Sequence, residues 1–599
     1  MAKTDVFPPV KRAQQNSWLG FTFVAWCCVS AALLFTQWDA VSLRQFADND
    51  DYLRWVQFTQ WLETPSWYLQ PLPRFNPTDG QIIHWSRFPD LPLAAVTWLL
   101  SHLMDDAIAA TLSISLIPLL YLLGLLFAIG HLTARMTDNH TASLAIVVTL
   151  LSPLLSPFVP SAIDHHGLQL CLLAWIIALT PFHREECRSS NPLRLQAILI
   201  ALSLWVGLEN IIAFLLLLLT LCIIGYRHQA FLYYCQRLCC YLLGLVPIAI
   251  LLSRPWEDFL HTHNDQISIA LVTLLACGWL FCTLSLWCFR RLEGNSLALP
   301  LRFLFLSLIA ISPFLALHPT FLLGPYYQYP DLLAQFWLNH VSEAMPIIDY
   351  LYSKGVWISQ NYLFVYAPAL LACFWGLKTP QLKVVYGLML VAMALPLFWQ
   401  LRTIYTASLI VMPLYAYSCM QFLSHLPLQS RHAKFAASLL LTPLAILYLM
   451  QSLNKWTDGP SDPALRTSLS GTEKVQPLLD SNIHDALILA PVSYGTPILA
   501  LTNNRILAAP YHRNVAGNLF VIRLLTSSNQ EEAYQKLLKA EVDYLMFGSE
   551  DASRILLKQS PETALIHQLH TNQLPLWLTE IAHAHDHIRL LKFTPEKAQ

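Results

Sequence analysis

Asp48, Asp50 and Asp51 crowd into one stretch, Phe46-Ala-Asp-Asn-Asp-Asp-Tyr-Leu-Arg54. Carboxylates this close repel one another, and a hard divalent cation relieves the repulsion through oxygen ligands. A second acid stands beside two imidazoles in Asp164-His165-His166, and mixed oxygen and nitrogen donors suit Mg²⁺ or Mn²⁺. Arg402 adjoins an apolar run, where a charge is costly without a partner and a lipid phosphate is an obvious one. Two polar–aromatic strings, His84-Trp-Ser-Arg87 with Asp90-Leu-Pro92 and Ala509-Pro-Tyr-His-Arg-Asn514, carry further donors. Each feature also has a plainer reading: a solvated acidic loop, a helix N-cap at Asp164, turn chemistry at Glu209, and loop packing for the two strings. The sequence has no phosphate-binding glycine loop and no nucleophile elbow.

The elements that must position these groups are membrane spans. The chain has 599 residues, of which 55% are hydrophobic and 12% charged, and its mean hydropathy is +0.46. This composition is that of a polytopic α-helical membrane protein. A formal net charge of -1 leaves no footprint for nucleic acid. The 13 cysteines form no CxxC pair, which argues against zinc and a disulfide framework. Hydropathy predicts spans near 17–37, 108–130, 142–157, 167–181, 195–206, 210–225, 239–252, 266–289, 303–317, 361–376, 384–399, 403–421 and 435–452. Lys3, Lys11 and Arg12 precede the first run, which is long and reads as a retained helix. Basic residues in alternate short loops put the N-terminus in the cytoplasm and the C-terminus outside. The expected membrane domain is 1–452, with outer loops 38–91 and 318–360. Residues 453–599 change composition and read as an extracytoplasmic α/β domain, with strands near 486–490, 505–508 and 544–547 and a helix over 530–539. With this topology Asp48, Asp164, Glu209, His261, His263, Asp265, Glu343 and Arg402 all fall on the outer face, together with the tail.

These motifs, in this order, resemble the catalytic subunits of oligosaccharyltransferases, within the GT-C class of glycosyltransferases. Ala47-Asp-Asn-Asp-Asp-Tyr-Leu-Arg54 is similar to the family's F-D-P-W-F-N-Y-R, with Asp48 on the metal-binding acid and Arg54 on the arginine. Ser161-Ala-Ile-Asp-His-His166 is similar to G-S-Y-D-N-E, with Asp164 on the first acid and His166 in place of the second. His340-Val-Ser-Glu-Ala-Met-Pro346 is similar to S-V-S-E-H-Q-P, which puts Glu343 on the loop glutamate. Arg402 matches an arginine that contacts the lipid-linked phosphate. Pro491-Val-Ser-Tyr-Gly495 resembles W-W-D-Y-G only in its last two residues. The missing Trp-Trp-Asp reads the Ser/Thr of the acceptor sequon in that family, so its loss points to an acceptor other than Asn-x-Ser/Thr.

The resemblance implies a glycosyltransferase that takes a sugar or oligosaccharide from a polyprenyl (di)phosphate carrier to an envelope glycan, lipid or protein acceptor. It implies a divalent cation, Mn²⁺ or Mg²⁺, on Asp48, Asp164 and His166, and the donor phosphate on Arg402. Asp48, Asp50 or Glu343 then acts as base or orients the acceptor. Arg54, His84, Arg87, Tyr494, His512, Arg513 and Asn514 are the expected acceptor or sugar contacts, with Arg513 holding an anionic acceptor. The expected location is a bacterial inner (plasma) membrane. A secondary transporter predicts internal repeats, of which the sequence has none. A non-catalytic membrane assembly protein is the third class.

Overall fold

A computed structural model describes residues 17–291, 299–349, 351, 383–427, 430–456, 469–548, 551–584 and 588–595. Its first part is helical: α1 (Ser17–Ser42), α2 (Asn49–Glu63), α3 (Asp90–Ser101), α4 (Asp106–Met136), α5 (Asn139–Leu150), α6 (His166–Ala178), α7 (Ser190–Val206), α8 (Ile211–Gly225), α9 (Ala230–Ser253), α10 (Ile269–Arg291) and α11 (Leu299–Leu317). Helices Lys383–Phe398, Ile404–Ser424, Arg431–Leu439 and Pro443–Trp456 follow. Among the described residues, six helices are long and apolar enough to cross a membrane. The chain is a multi-pass membrane protein.

The apolar runs lie where hydropathy put them, and proline explains two of the differences. The run at 142–157 divides into α5 and a 3₁₀ segment, Pro153–Phe158, because Pro153 and Pro157 cannot donate to an α-helical ladder. The run at 435–452 divides ahead of Pro443. The span near 361–376 and the linker signals around 457–463 lie outside the described residues.

The stretch expected as outer loop 38–91 is largely ordered. α2 starts from Asp48, whose side chain accepts the backbone N–H of Asp50 at 3.0 Å, as an N-cap does. It buries Leu53, Val56 and Phe58. Farther on, residues 74–76 run beside β2, with Asn76 N donating to Ile506 O at 2.7 Å and Ile506 N to Arg74 O at 2.9 Å.

The C-terminal part is built on five strands, β1 (Leu487–Leu489), β2 (Arg505–Ile506), β3 (Tyr544–Phe547), β4 (Leu578–Ala584) and β5 (Ile588–Phe593), in the order β2-β1-β3-β5-β4. β1 is parallel to β2 and β3, whereas β5 is antiparallel to β3 and β4. Successive side chains point to opposite faces, and both faces are covered, which is why these strands read as continuous apolar runs. Leu487, Leu489, Leu545 and Leu591 face a layer that includes Leu333 and Phe336. Ile488, Met546 and Leu590 face Leu53, Val56, Phe75, Ile83 and Trp85. The sheet therefore packs directly on the acidic helix. Thr496 donates to Asn49 at 2.7 Å, and a Cβ on Gly471 would lie 2.1 Å from the Tyr52 hydroxyl, so no side chain fits at that contact.

Candidate active site

Two helix N-termini carry the acidic motifs. Asp48 caps α2. At α6 the N-cap position is His165 rather than Asp164, and Asp164 Oδ1, one residue earlier, accepts the backbone N–H of His166 at 2.8 Å in the turn that leads into the helix. Each carboxylate thus spends one oxygen on its helix. The partial positive charge at both N-termini favours an anion nearby. Asp164 Oδ2 lies 3.6 Å from His166 Nε2.

The turn that delivers Asp164 has two anchors. Pro118 inside α4 has no N–H for Ile114 O, and Ser161 N fills that vacancy at 3.0 Å. Ser161 itself has φ +73°, a left-handed conformation uncommon for a residue with a side chain. Asp51 provides the other anchor: its Oδ1 accepts the N–H groups of Ile163 and Asp164, both at 2.8 Å.

Glu343 and Arg402 come to the same place from distant sequence. Glu343 sits in the 3₁₀ turn Ser342–Ala344 and Arg402 in the turn Leu401–Thr403, and Leu401 N donates to Met345 O at 2.8 Å. Glu343 and Asp164 both bear electrostatically on Asp48 and Asp50. The charges of Arg402, Glu343, Asp50 and Asp265 all bear on the Tyr326 hydroxyl. Tyr405, whose hydroxyl is 3.2 Å from Ser156 Oγ, feels the charges of Glu343, Asp164 and Asp48. Nothing in the sequence marks either tyrosine.

Burial pushes the carboxyls of Asp48, Asp50 and Asp51 above the ordinary range, and repulsion from neighbouring acids pushes them further. Asp48 and Glu343 nonetheless keep solvent contact, so a solute reaches them. Carboxylates with an adjacent imidazole are donors of the kind a divalent cation takes, but Asp48, Asp164 and His166 do not bring three ligand atoms within 4.8 Å of one another as His84, Asp265 and His512 do.

A second cluster stands beside this one. Among the described residues, His84, Asp265 and His512 are the group whose ligand atoms all lie within 4.8 Å of one another. Asp265 is already occupied. It accepts from Arg513 Nε at 2.7 Å and Nη2 at 2.6 Å, and pairs with His512 Nε2 at 2.9 Å. Burial opposes its charge, but these partners hold its carboxyl well below the usual range. A divalent ion there would face the guanidinium, so we read the cluster as an ionic joint between the C-terminal part and the 254–268 loop. His84 Nδ1 lies 2.7 Å from the Tyr511 hydroxyl and completes the joint.

Several expected contacts are corrected by burial. Arg54 has a fully buried side chain, paired with Asp90 at 3.2 Å and bonded to Ser86 O at 3.1 Å, and it serves packing rather than an acceptor. Arg87 pairs with the same Asp90 at 3.6 Å and donates to Gln57 O at 3.1 Å. Tyr494 is 0% exposed in the core under the sheet, and Asn514 is 1% exposed and donates to Leu507 O at 2.8 Å. Arg513 is committed to Asp265, which removes it as a free anchor for an anionic acceptor. His84, His512 and Arg513 are the half-buried members of the set.

Asp90 offsets two guanidiniums in a dry site, which gives a prediction. Asp90→Ala leaves both without their carboxylate and is expected to cost about 3–5 kcal/mol. A large drop in the apparent melting temperature of the detergent-purified protein is the readout, and an unchanged melt would show that the triad does not support the fold.

No protein-family profile and no curated protein matches this sequence. Solved structures of the oligosaccharyltransferase AglB from Archaeoglobus fulgidus match its fold. One, in complex with an inhibitory peptide and a dolichol-phosphate, has a TM-score of 0.64 at 14% identity, over 92% of this chain and 71% of that chain. Another, tethered to an acceptor peptide containing the NVT sequon, has a TM-score of 0.62 at 12% identity, over 95% and 73%. A third, in complex with Zn and sulfate, has a TM-score of 0.58 at 15% identity, over 88% and 68%. The chain therefore shares the fold of these structures, with a polytopic helical part followed by a C-terminal α/β part.

Proposed function

We propose that this chain is a membrane glycosyltransferase that moves a sugar or oligosaccharide from a polyprenyl (di)phosphate to an acceptor at the outer face of the membrane. The observation that carries the reading is that Asp48, Asp50, Asp164 and Glu343, from three separate segments, act electrostatically on one another, with Arg402 in the turn packed against that of Glu343. Shared fold with an enzyme solved in complex with dolichol-phosphate supports the donor class. Asp48 and Asp164, with His166, would hold a divalent cation, which supplies charge neutralisation for a leaving phosphate. Arg402 binds that phosphate. Asp50 and Glu343 are the carboxylates not spent on a helix start, and they orient the acceptor hydroxyl or amine and take its proton as it attacks the anomeric carbon. The bond from that carbon to the phosphate oxygen breaks in the same displacement.

The reading places the chain in a bacterial inner membrane, N-terminus in the cytoplasm, with a membrane domain of 1–452 and an outer domain of 453–599. The acceptor is an envelope glycan or lipid. Val492 and Tyr494 turn into the core and leave Ser493 as the hydroxyl of that segment, a poor basis for reading a sequon threonine. Sites built to bond a hydroxyl reject analogues that lack it, and this segment offers no such site. The test uses full-length protein in sealed vesicles of both orientations, with Mn²⁺ and labelled polyprenyl-linked sugars. Label should move to extracted envelope glycolipid supplied at the face bearing the C-terminus. Efficient transfer to a sequon peptide, lost when its Thr becomes Val, would refute the acceptor assignment. Absence of transfer from every lipid-linked donor, to glycolipid and peptide alike, would refute the enzyme.

A further inference from the structure

We infer that Asp51 is the positioning residue that holds Asp164 at a fixed spacing from Asp48. The inference rests on the reading of those two residues as cation ligands. Asp51 is 3% exposed and lies three residues after Asp48, so the two share one face at the start of α2. Its Oδ1 accepts two successive backbone N–H groups, from Ile163 and Asp164, at 2.8 Å each. One of the two donors is the amide of Asp164 itself, so any shift of Asp51 passes directly to that residue's backbone.

The turn has reason to move without this anchor. Ser161 holds a left-handed φ of +73°, and its N–H is tied to Ile114 O at the α4 side. Asp51 supplies the tie at the α2 side. Removing it orphans the Asp164 N–H and leaves the Ile163 N–H with Ser161 O alone, at 2.9 Å, in a buried turn where Ile163 is 4% exposed. The turn then relaxes about its remaining anchor, and the two carboxylates lose their common register. Groups that orient metal ligands from behind typically account for 10–100-fold in metal affinity.

Mn²⁺ binding to the purified full-length protein, followed by electron paramagnetic resonance of the free ion, tests this without reference to turnover. Asp51→Asn keeps an acceptor oxygen at the same reach and should bind Mn²⁺ nearly as tightly as the unmodified protein. Asp51→Ala removes the acceptor, and Asp51→Glu displaces it by one methylene while keeping the charge. Both should lose about 10–100-fold. If Asp51→Ala fails to fold, Asp51→Glu decides. Unchanged affinity in Asp51→Glu, or a loss in Asp51→Asn as deep as in Asp51→Ala, overturns the inference, since charge or bulk rather than the paired N–H groups would then set the affinity. Asp164→Asn is the control. If it keeps Mn²⁺ binding, the cation site itself is misassigned and this inference falls with it. If it loses binding while Asp51→Glu keeps it, only the role of Asp51 falls.

Discussion

Asp48→Asn and Asp164→Asn should each reduce sugar transfer by about 10³-fold or more while leaving the thermal melt unchanged. Asparagine is the informative replacement because both residues do two jobs. Asp48 accepts from Asp50 N and Asp164 from His166 N, and an asparagine side-chain oxygen accepts the same bonds. The amide lacks the charge that a divalent cation requires of its hard oxygen ligands. Alanine would remove that bond as well, at about 1 kcal/mol of stability, and would mix folding with chemistry. A cation that neutralises a leaving phosphate contributes several kcal/mol, and each 1.36 kcal/mol is tenfold in rate. Chelator should reproduce the variants, and added Mn²⁺ should restore the unmodified protein but not Asp164→Asn. Full turnover by both variants in the presence of chelator would eliminate this site.

What the sequence disclosed, and what it hid, follows from the range of the interactions. The spans were legible because hydropathy is local, and the strands at Leu487–Leu489 and Tyr544–Phe547 because they are buried on both faces. α2 was hidden as a loop because Asp50, Asp51, Arg54 and several amides dilute its apolar face. β4 and β5 were hidden because β4 mixes Thr579, Glu580 and His583 among its apolar residues. Motif matching placed Asp48, Asp164, Glu343 and Arg402 in one neighbourhood. It misjudged Arg54 and Tyr494, because a match in position says nothing about the direction of a side chain. The ion pairs that decided these cases are non-local: Arg54 with Asp90 is 36 residues apart, and Arg513 with Asp265 is 248. Gly495 is the converse case. Its Cβ would stand 1.9 Å from Ala508 O, so the glycine of the matched segment has a steric reason of its own.

Arg402→Ala should lower transfer by about 10²–10³-fold, the usual consequence of removing one donor to developing charge, and should raise the KM for the lipid-linked donor rather than for the acceptor. The geometry gives the reason. Arg402 opens the helix Ile404–Ser424 from a 3₁₀ turn, Gln400 takes its Nε–H at 2.9 Å, and the turn is pinned to Met345 O beside Glu343. With Nε fixed, the guanidinium plane is held and its two Nη groups present a fork to phosphate. Arg402→Lys keeps the charge but not the fork, so it should recover only part of the loss. Gln400→Ala should also raise the donor KM, though less, by freeing the guanidinium to rotate. The reading predicts one ordering for donor affinity: unmodified protein first, then Gln400→Ala, then Arg402→Lys, then Arg402→Ala. Donor titrations at saturating acceptor measure it. A Lys variant equal to the unmodified protein would reduce Arg402 to a diffuse positive charge near the membrane, and a loss confined to acceptor KM would move the donor phosphate to another part of the cavity.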